Sequence, residues 1–334
     1  MVLDGRTRRV TSADVAHEAG VSRATVSYVL NDTPHQKIPE HTRRRVLEAA
    51  ARLGYTPSAA ARVLRSGRSD VVLLLLPDWP IGPAVGRLLD EMSGMLAAAG
   101  FTLVAHPRSR TSRPVSEVWK AITPAAVVTF GDFDEQEAAA LQAAGIDLTV
   151  TLLGRTRRHA YELEAPQQNV GRVQVEHLAA AGHRRLGYAW PDDSRVLGFA
   201  EPRLDGVRLA CADLGLDEPV VRTVPLEPCG AAGAVGGWHD EQVTAVCAYN
   251  DDVALAVLAG MRRHGLTAPR DLAVIGADDI PAAALTEPPL TTIVVDELVT
   301  ARYVTDRLVA SLAGKPPPPR PGADVISVVR RDSA

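Results

Sequence analysis

The sequence predicts an α/β protein preceded by a small all-α module, and three observations carry that expectation. The first 55 residues hold three helical patterns, each closed by turn residues. From Asp70 onward, short apolar runs alternate with helical patterns at a spacing of roughly 25 residues, which suits a strand plus its crossover helix. Charge divides at nearly the same place: residues 1–65 hold eleven Lys or Arg against six Asp or Glu, and the remainder holds 25 against 34. A net charge of -4 therefore conceals a basic terminal module on an acidic body. Such a module points to a polyanionic partner for itself alone.

The bulk numbers narrow the class further. The 334 residues suit about two domains. Composition is 46% hydrophobic but 4% aromatic, so the interior is expected from Ala, Val and Leu, and the four Trp become candidates for stacking on a ligand. Cys211, Cys229 and Cys247 form no CxxC pair, which fits a reducing compartment better than a disulfide framework or a zinc site. The longest apolar run, VALAVLA at 253–259, is far short of the ~20 residues of a membrane span. The N-terminus MVLDGRTRRVTSADVAHEAG lacks an apolar signal core. A soluble cytoplasmic protein is expected, with no membrane contact, cofactor or metal.

In the N-terminal module the first helix is expected from Thr11 or Ser12, both good caps, to the stop at Gly20. Ser22 caps a second helix, on which Val26, Val29 and Leu30 share one face while Arg23, Ala24, Ser27 and Tyr28 share the other. A third is expected from Pro39, at the first helical position, to Leu53, with Val46, Leu47, Ala50 and Leu53 as its apolar stripe. Only Gly20 and Val21 separate the first two, which makes a tight helix-turn-helix. The segment TPSAAARVLRSGRSD at 56–70 has helix propensity, but isolated helices this short are marginal in water, so it reads as a linker that becomes helical when held.

Strands are expected at VVLLLLP (71), FTLVAHP (101), AAVVTF (125), DLTVTLLG (147), RRLGYAW (184), VVRTVPL (220), TAVCAYN (244) and LAVIGADD (272). Intervening patterns such as VGRLLDEMSGMLAAAG predict helices covering parallel sheets on both faces. Ligands of such sheets sit beyond the carboxyl ends of the strands.

The run VTSADVAHEAGVSRATVSYVLN, then IPEHTRRRVLEAAARLGYTPSAAARVLRSG, resembles the LacI/GalR family of bacterial transcription regulators. So, in order and spacing, do AAAGHRRLGY at 179, RLDG at 203, AYNDDVALAVL at 248, VIGADDIP at 274 and PPLTTI at 288. The resemblance implies a DNA-binding headpiece over 1–55, a hinge helix over 56–68, and an effector-binding and dimerisation domain over 69–334 of the type I periplasmic-binding-protein fold. Its first α/β subdomain would cover about 69–166 plus 295–322, and its second about 167–293 plus 323–334. It further implies a homodimer on a pseudo-palindromic double-stranded operator, controlled by a small-molecule effector, a sugar or sugar derivative. The C-terminal VISVVRRDSA adds no leucine heptad, so a tetramer through a helical bundle is not expected.

Family positions carry over residue by residue. Arg23, Ala24 and Tyr28 match base-reading positions; arginine can bind guanine O6 and N7 bidentately, and alanine can meet a thymine methyl. Thr11, Ser12, Ser22, Thr25, Ser27 and Asn31 match capping or phosphate-contacting positions. Ala61 and Leu64 match the minor-groove hinge, Leu64 as a wedge between base steps; alternatively Leu64 is the last core residue of the headpiece. Arg203, Asn250 and Asp278 match effector-binding positions, against the readings of a surface helix residue, a helix N-cap and a turn former. Trp79 and Trp190 are either aromatic walls for the effector or rim packing.

Three departures indicate a remodelled pocket. Ala277 stands where the family usually has an aromatic residue, PQQNVG replaces the acidic start of the crossover near 167, and AAGAVGG occupies a segment where a stacking aromatic can occur. The glycines at 230–237 lack the GK[ST] of a phosphate loop. The competing classes are a solute-binding protein or a sugar-processing enzyme on the same body. The first should carry a signal peptide in place of the headpiece; the second should show a convergent nucleophile, acid pair or metal set, and no catalytic residue is assigned.

Overall fold

In the computed structural model, which describes residues 10–30, 37–55, 69–108, 114–146, 148–152, 161–162, 167–319 and 325–334, the chain divides into one unit ending at Ser69 and a second from Asp70 to Ala334. In the first, Thr11 caps α1 (Ser12–Ala19), and the Asp14 carboxylate accepts from the Thr11 N–H at 2.8 Å and its hydroxyl at 2.7 Å. Gly20 ends α1 in the left-handed region at φ 62°, turning the chain into α2 (Arg23–Leu30). The Ser22 hydroxyl accepts the Thr25 N–H at 3.1 Å, capping α2. On α3 (Glu40–Arg52), Arg45 donates to the carbonyls of Ala19 and Gly20, a cation placed on the negative end of α1.

These three helices bury Val15, Ala16 and Ala19 against Val26, Val29, Val46, Ala49 and Ala50, with Leu30 and Leu53 packed at the margin. Two details of α3 differ from expectation. Pro39 is the cap, one position before the helix, and Leu47 is 48% exposed. The buried stripe runs Val46, Ala49, Ala50 and Leu53; Leu47 lies 100° round the helix from Val46, where Ala49 and Ala50 keep the helices close without it.

The second unit contains two sheets. In the first, β1 (Val71–Leu76) lies between β2 (Thr102–Pro107) and β3 (Ala126–Thr129), followed by β4 (Thr149–Thr151) and β5 (Tyr161–Glu162), all parallel. The run VVLLLL is buried on both faces. Val72 and Leu74 pack on Leu88, Met92 and Leu96 of α4 (Pro83–Ala98) and on Ala301, Val304 and Leu308 of α11 (Glu297–Leu312). Leu73 and Leu75 face Val115 and Trp119 of α5 (Val115–Ile122) and Leu141 of α6 (Glu135–Ala143). A strand covered on both sides has no polar face, which is why its sequence does not alternate.

The second sheet places β6 (Leu186–Pro191) between β7 (Val220–Val224) and β8 (Ala245–Ala248), then β9 (Ala273–Ala277), β10 (Thr291–Val295) and β11 (Ile326–Val329). Only the β10–β11 pair is antiparallel. α7 (Gln167–Ala180), α8 (Leu197–Asp213), α9 (Pro228–Asp240) and α10 (Asp251–Arg263) cover it. The glycine-rich segment is therefore helical: α9 contributes Ala231, Ala234, Val235 and Trp238 to the core. The apolar runs do not single out β5, β10 or β11. β5 spans two residues; β10 opens with Thr291 and Thr292, polar by type yet fully buried because the Thr292 hydroxyl donates to Asp251 and the Thr291 hydroxyl donates to the Ala334 carbonyl and accepts the Arg331 N–H.

One helix contact positions the site described next. A Cβ on Gly206 of α8 would lie 1.9 Å from the Gln168 carbonyl oxygen, and one on Gly171 of α7 would lie 2.0 Å from that of Arg203. Only paired glycines permit this approach, and it brings Gln167 beside Arg203. Gly206→Ala is expected to destabilise the second unit by about 1–3 kcal/mol in urea unfolding. Gly233→Ala, on α9 where a Cβ meets open space, is expected to be neutral or mildly stabilising.

Candidate functional site

The first unit offers one polar helix face. With Val26 and Val29 buried, Arg23, Ala24 and Tyr28 project from the opposite side of α2 into solvent, Tyr28 36% exposed. Thr11 is exposed at the N-cap of α1; Ser12, Thr25 and Ser27 are half-buried. The Ser22 hydroxyl is engaged with the Thr25 N–H and lies 2.9 Å from the Thr25 hydroxyl. Asn31, Ala61 and Leu64 lie outside the described residues, as does the rest of the expected hinge over 56–68.

The second unit holds a cavity of about 840 Å³ between its two sheets, at the carboxyl ends of the strands. Trp79 follows β1, Phe130 follows β3 and Leu152 follows β4; Asp193 follows β6, Tyr249 and Asn250 follow β8, and Asp278 follows β9. Trp79 meets Phe130 edge-on at 5.4 Å between ring centroids and Phe199 at 4.8 Å.

Arg203 organises the polar side. Its side chain is 5% exposed, not on the surface, and its donors are distributed over three acceptors. Nε donates to Gln167 Oε1 at 2.7 Å, Nη1 to the Tyr249 carbonyl at 2.7 Å, and Nη2 to Asp278 Oδ1 at 3.0 Å. The guanidinium also lies over the Tyr249 and Phe199 rings, at 5.2 and 5.9 Å. Burial is the largest influence and lowers its pKa, but the Asp278 carboxylate together with Tyr249 and Tyr188 reverses the effect, so the pKa is raised and the group stays charged. Burial raises the Tyr249 phenol despite Arg203, so it is a neutral donor at physiological pH.

Asn250 lines the cavity and is also the N-cap of α10, accepting the Val253 N–H at 3.0 Å. Asp278 sits at φ 100°, and Asp279 at φ 45° pairs with Arg331 at 2.7 Å, so the turn is held by an ion pair. Arg87 crosses from α4 to donate to the Asp278 carbonyl at 3.1 Å and to Glu297 at 2.8 Å. The hydrogen bond to Glu297 raises the Arg87 pKa.

Of the expected effector residues, Trp79, Arg203, Asn250 and Asp278 meet at this cavity and Trp190 does not. Strand alternation is the reason: Trp190 shares a face with Tyr188, its ring 6.4 Å away and packed on the core, whereas Pro191 and the residues after it reach the cleft. Sequence reasoning missed Phe130 and Tyr249, although both stand at strand ends where cleft residues are expected. It also missed Phe199, four residues before Arg203 on one helix face. Gln167 was noticed only as a departure. No pattern marked Arg87. Among the described residues no cluster of three or more metal-ligating side chains occurs, and no helix is long and apolar enough to cross a membrane.

Comparison with known proteins agrees with this two-part construction. Residues 11–58 match the model for bacterial regulatory proteins of the lacI family, and residues 175–334 match that for a periplasmic binding protein-like domain. An HTH-type transcriptional regulator from the aml 5' region of Streptomyces limosus is 30% identical over 295 residues, covering 84% of this chain and 82% of its own. Among solved structures, the lac repressor dimer bound to operator and the anti-inducer ONPF is 24% identical, with a TM-score of 0.78 over 98% of this chain and 99% of that one. The complex of the transcriptional regulator CelR with cellobiose is 26% identical, with a TM-score of 0.67 over 98% and 100%. The two modules and these likenesses define a DNA-binding transcriptional regulator, not an enzyme. The chain belongs to the lacI family of bacterial regulatory proteins.

Beneath the cavity floor, Asp251 is fully buried, accepting from Thr292 at 2.5 Å and from the Ile280 N–H at 2.9 Å. Burial pushes its pKa up to about 7, against the lowering effect of those hydrogen bonds. An unfolded Asp ionises near ~4, so between about pH 4 and 7 the folded state binds the extra proton. This contribution favours folding at the low end of the window and is lost as pH rises through 7. From pH 5 to 8, wild type should therefore lose about 2 kcal/mol more stability than Asp251→Asn, read by urea unfolding at each pH.

Proposed function

We propose that this regulator is a repressor whose grip on a pseudo-palindromic operator is set by a small molecule, a sugar or sugar derivative, bound between the two sheets of its second unit. The carrying observation is α2: Val26 and Val29 are committed to the core, and Arg23, Ala24 and Tyr28 remain as an exposed edge of the second helix of a helix-turn-helix, Arg23 and Ala24 in its first turn. The N-terminal end of that helix is the part which meets base edges in the major groove. In this reading Arg23 takes a guanine, Ala24 a thymine methyl, and Tyr28 a neighbouring base or sugar. Thr11, Ser12, Ser22, Thr25, Ser27 and Asn31 fix the register on phosphates. Ala61 and Leu64 enter the minor groove at the operator centre.

A homodimer is the species that matches a two-fold site, and the similar lac repressor is a dimer bound to operator. The cavity supplies the sensing half. Asp278 and Glu297, one from each side of the cleft, are both tied to Arg87, so a ligand that alters their geometry alters the approach of the two sides. It shifts the DNA-binding equilibrium only by its difference in affinity for the two states. The sugar assignment is supported by cellobiose in the CelR complex and by the Arg203, Asn250 and Asp278 polar groups beside Trp79.

The test is selection of duplexes from a random pool by the full-length chain, followed by titration in rising salt. A pseudo-palindrome should be enriched, with log affinity falling linearly against log salt concentration; no enrichment even at low salt would overturn the reading. Arg23→Ala should lose about 1–3 kcal/mol of discrimination at one symmetric base position. Uniform weakening across sequences would instead make Arg23 a phosphate contact.

A further inference from the structure

The two walls of the cavity differ in chemistry. From the first sheet and its loops come Trp79, Ile81, Val85, Leu88, Phe130 and Leu152, with no ionisable side chain among the described lining residues of that wall before Glu297. The ionisable groups otherwise come from the second sheet's side. Two apolar residues stand unprotected in the lining: Leu226, following β7, is 69% exposed, and Ile81, following β1, is 44% exposed. Each removes apolar area from water only when something apolar covers it.

Charge adds a second, independent constraint. Among the described residues the lining holds five carboxylates, Asp192, Asp193, Asp252, Asp278 and Glu297, against two arginines, with Arg87 behind the lining paired to Glu297. Both arginines already have a carboxylate partner: Arg195 grips both oxygens of Asp193, at 2.9 and 2.7 Å, and Arg203 pairs with Asp278 while also donating to Gln167 and the Tyr249 carbonyl. Asp192 and Asp252 have no ion-pair partner among the described residues, and burial together with Asp278 raises the Asp252 pKa. The N-terminus of α4 also opens on the cavity with no acid in its first turn, but its roughly half-unit of positive charge does not offset the excess of carboxylates.

We propose that the effector is an uncharged or cationic molecule with a ring-sized apolar body, laid on Trp79, Phe130 and Phe199 and clasped by Ile81 and Leu226, and with hydrogen-bond donors at one end directed to Asp252 and Asp192. An aryl- or alkyl-substituted polyol is thereby favoured over a bare hexose, a sugar phosphate or a sugar acid. This rests on the reading of the cavity as the effector site.

Two dyes sharing an anilinonaphthalene body test it on the full-length chain at low ionic strength: uncharged N-phenyl-1-naphthylamine and its anionic sulfonate, 8-anilinonaphthalene-1-sulfonate. The uncharged dye should bind at one site, at least about tenfold more tightly than the sulfonate, a margin of ~1.4 kcal/mol. The exposed double substitution Ile81→Ser, Leu226→Ser should weaken it several-fold without changing the unfolding midpoint. Asp192→Asn with Asp252→Asn should narrow the gap between the dyes. Failure of the uncharged dye to bind, equal or tighter binding of the sulfonate, or indifference to the Ile81 and Leu226 substitutions would each overturn the proposal. Operator retention by the same samples separates the two readings. If DNA binding persists while the dye pattern fails, the ligand class falls and the regulator stands; if DNA binding is absent at low salt, the regulator reading itself falls.

Discussion

A guanidinium taken out of water is the constraint around which the second unit is arranged. Moving a charge into a protein interior costs several kcal/mol unless its donors are met, so Arg203 is tolerable only where acceptors converge from separate parts of the chain. Gln167 comes from α7, the Tyr249 carbonyl from the end of β8, and Asp278 from the turn after β9. Each must be in register for the others to be satisfied. The glycine contact of α7 with α8 serves this requirement, because a larger residue at 171 or 206 would push Gln167 away from Arg203. The positive φ of Asp278 belongs to the same network, since the turn delivers a carboxylate to Arg203 and a backbone carbonyl to Arg87.

Much of the fold was legible because its signals are local. Thr11, Gly20 and Ser22 act on the N–H and C=O groups within one helical turn of themselves, so the bounds of α1 and α2 follow from the sequence. Runs such as VVLLLL and AVIGA declare strands buried on both faces. What escaped depended on partners distant in sequence. Thr291 and Thr292 carry no strand signal until Asp251 and the C-terminal residues Arg331 and Ala334 supply their hydrogen bonds, and Leu47 looks like core until packing shows that Ala49 and Ala50 have closed the gap.

The cavity divides along the same line. Residues one to three beyond a strand, such as Trp79, Asn250 and Asp278, are placed by topology alone, and the same rule reaches Phe130 and Tyr249. Trp190 shows its limit: still within the strand, it obeys the two-residue alternation, and its neighbour Tyr188 directs it to the core. Gln167 could not be valued from sequence, because a neutral amide at that position has meaning only beside a buried cation already engaged with Asp278. Arg87 reaches across 191 residues of chain to Asp278, a relation no local pattern encodes.

Both sheets share one strand order, the first strand flanked by the second and third and then continued outward. The molecule thus frames its cleft with two sheets built on a single plan. The loops after β1 and β3 in one copy, and after β6 and β8 in the other, are structurally equivalent yet answer to separate stretches of gene. Substitution in the loops of one sheet can change its wall while the other keeps its ionisable groups, with neither sheet disturbed. Ligand preference in such a scaffold is set by how the two loop sets differ, and new chemistry can be acquired one half at a time.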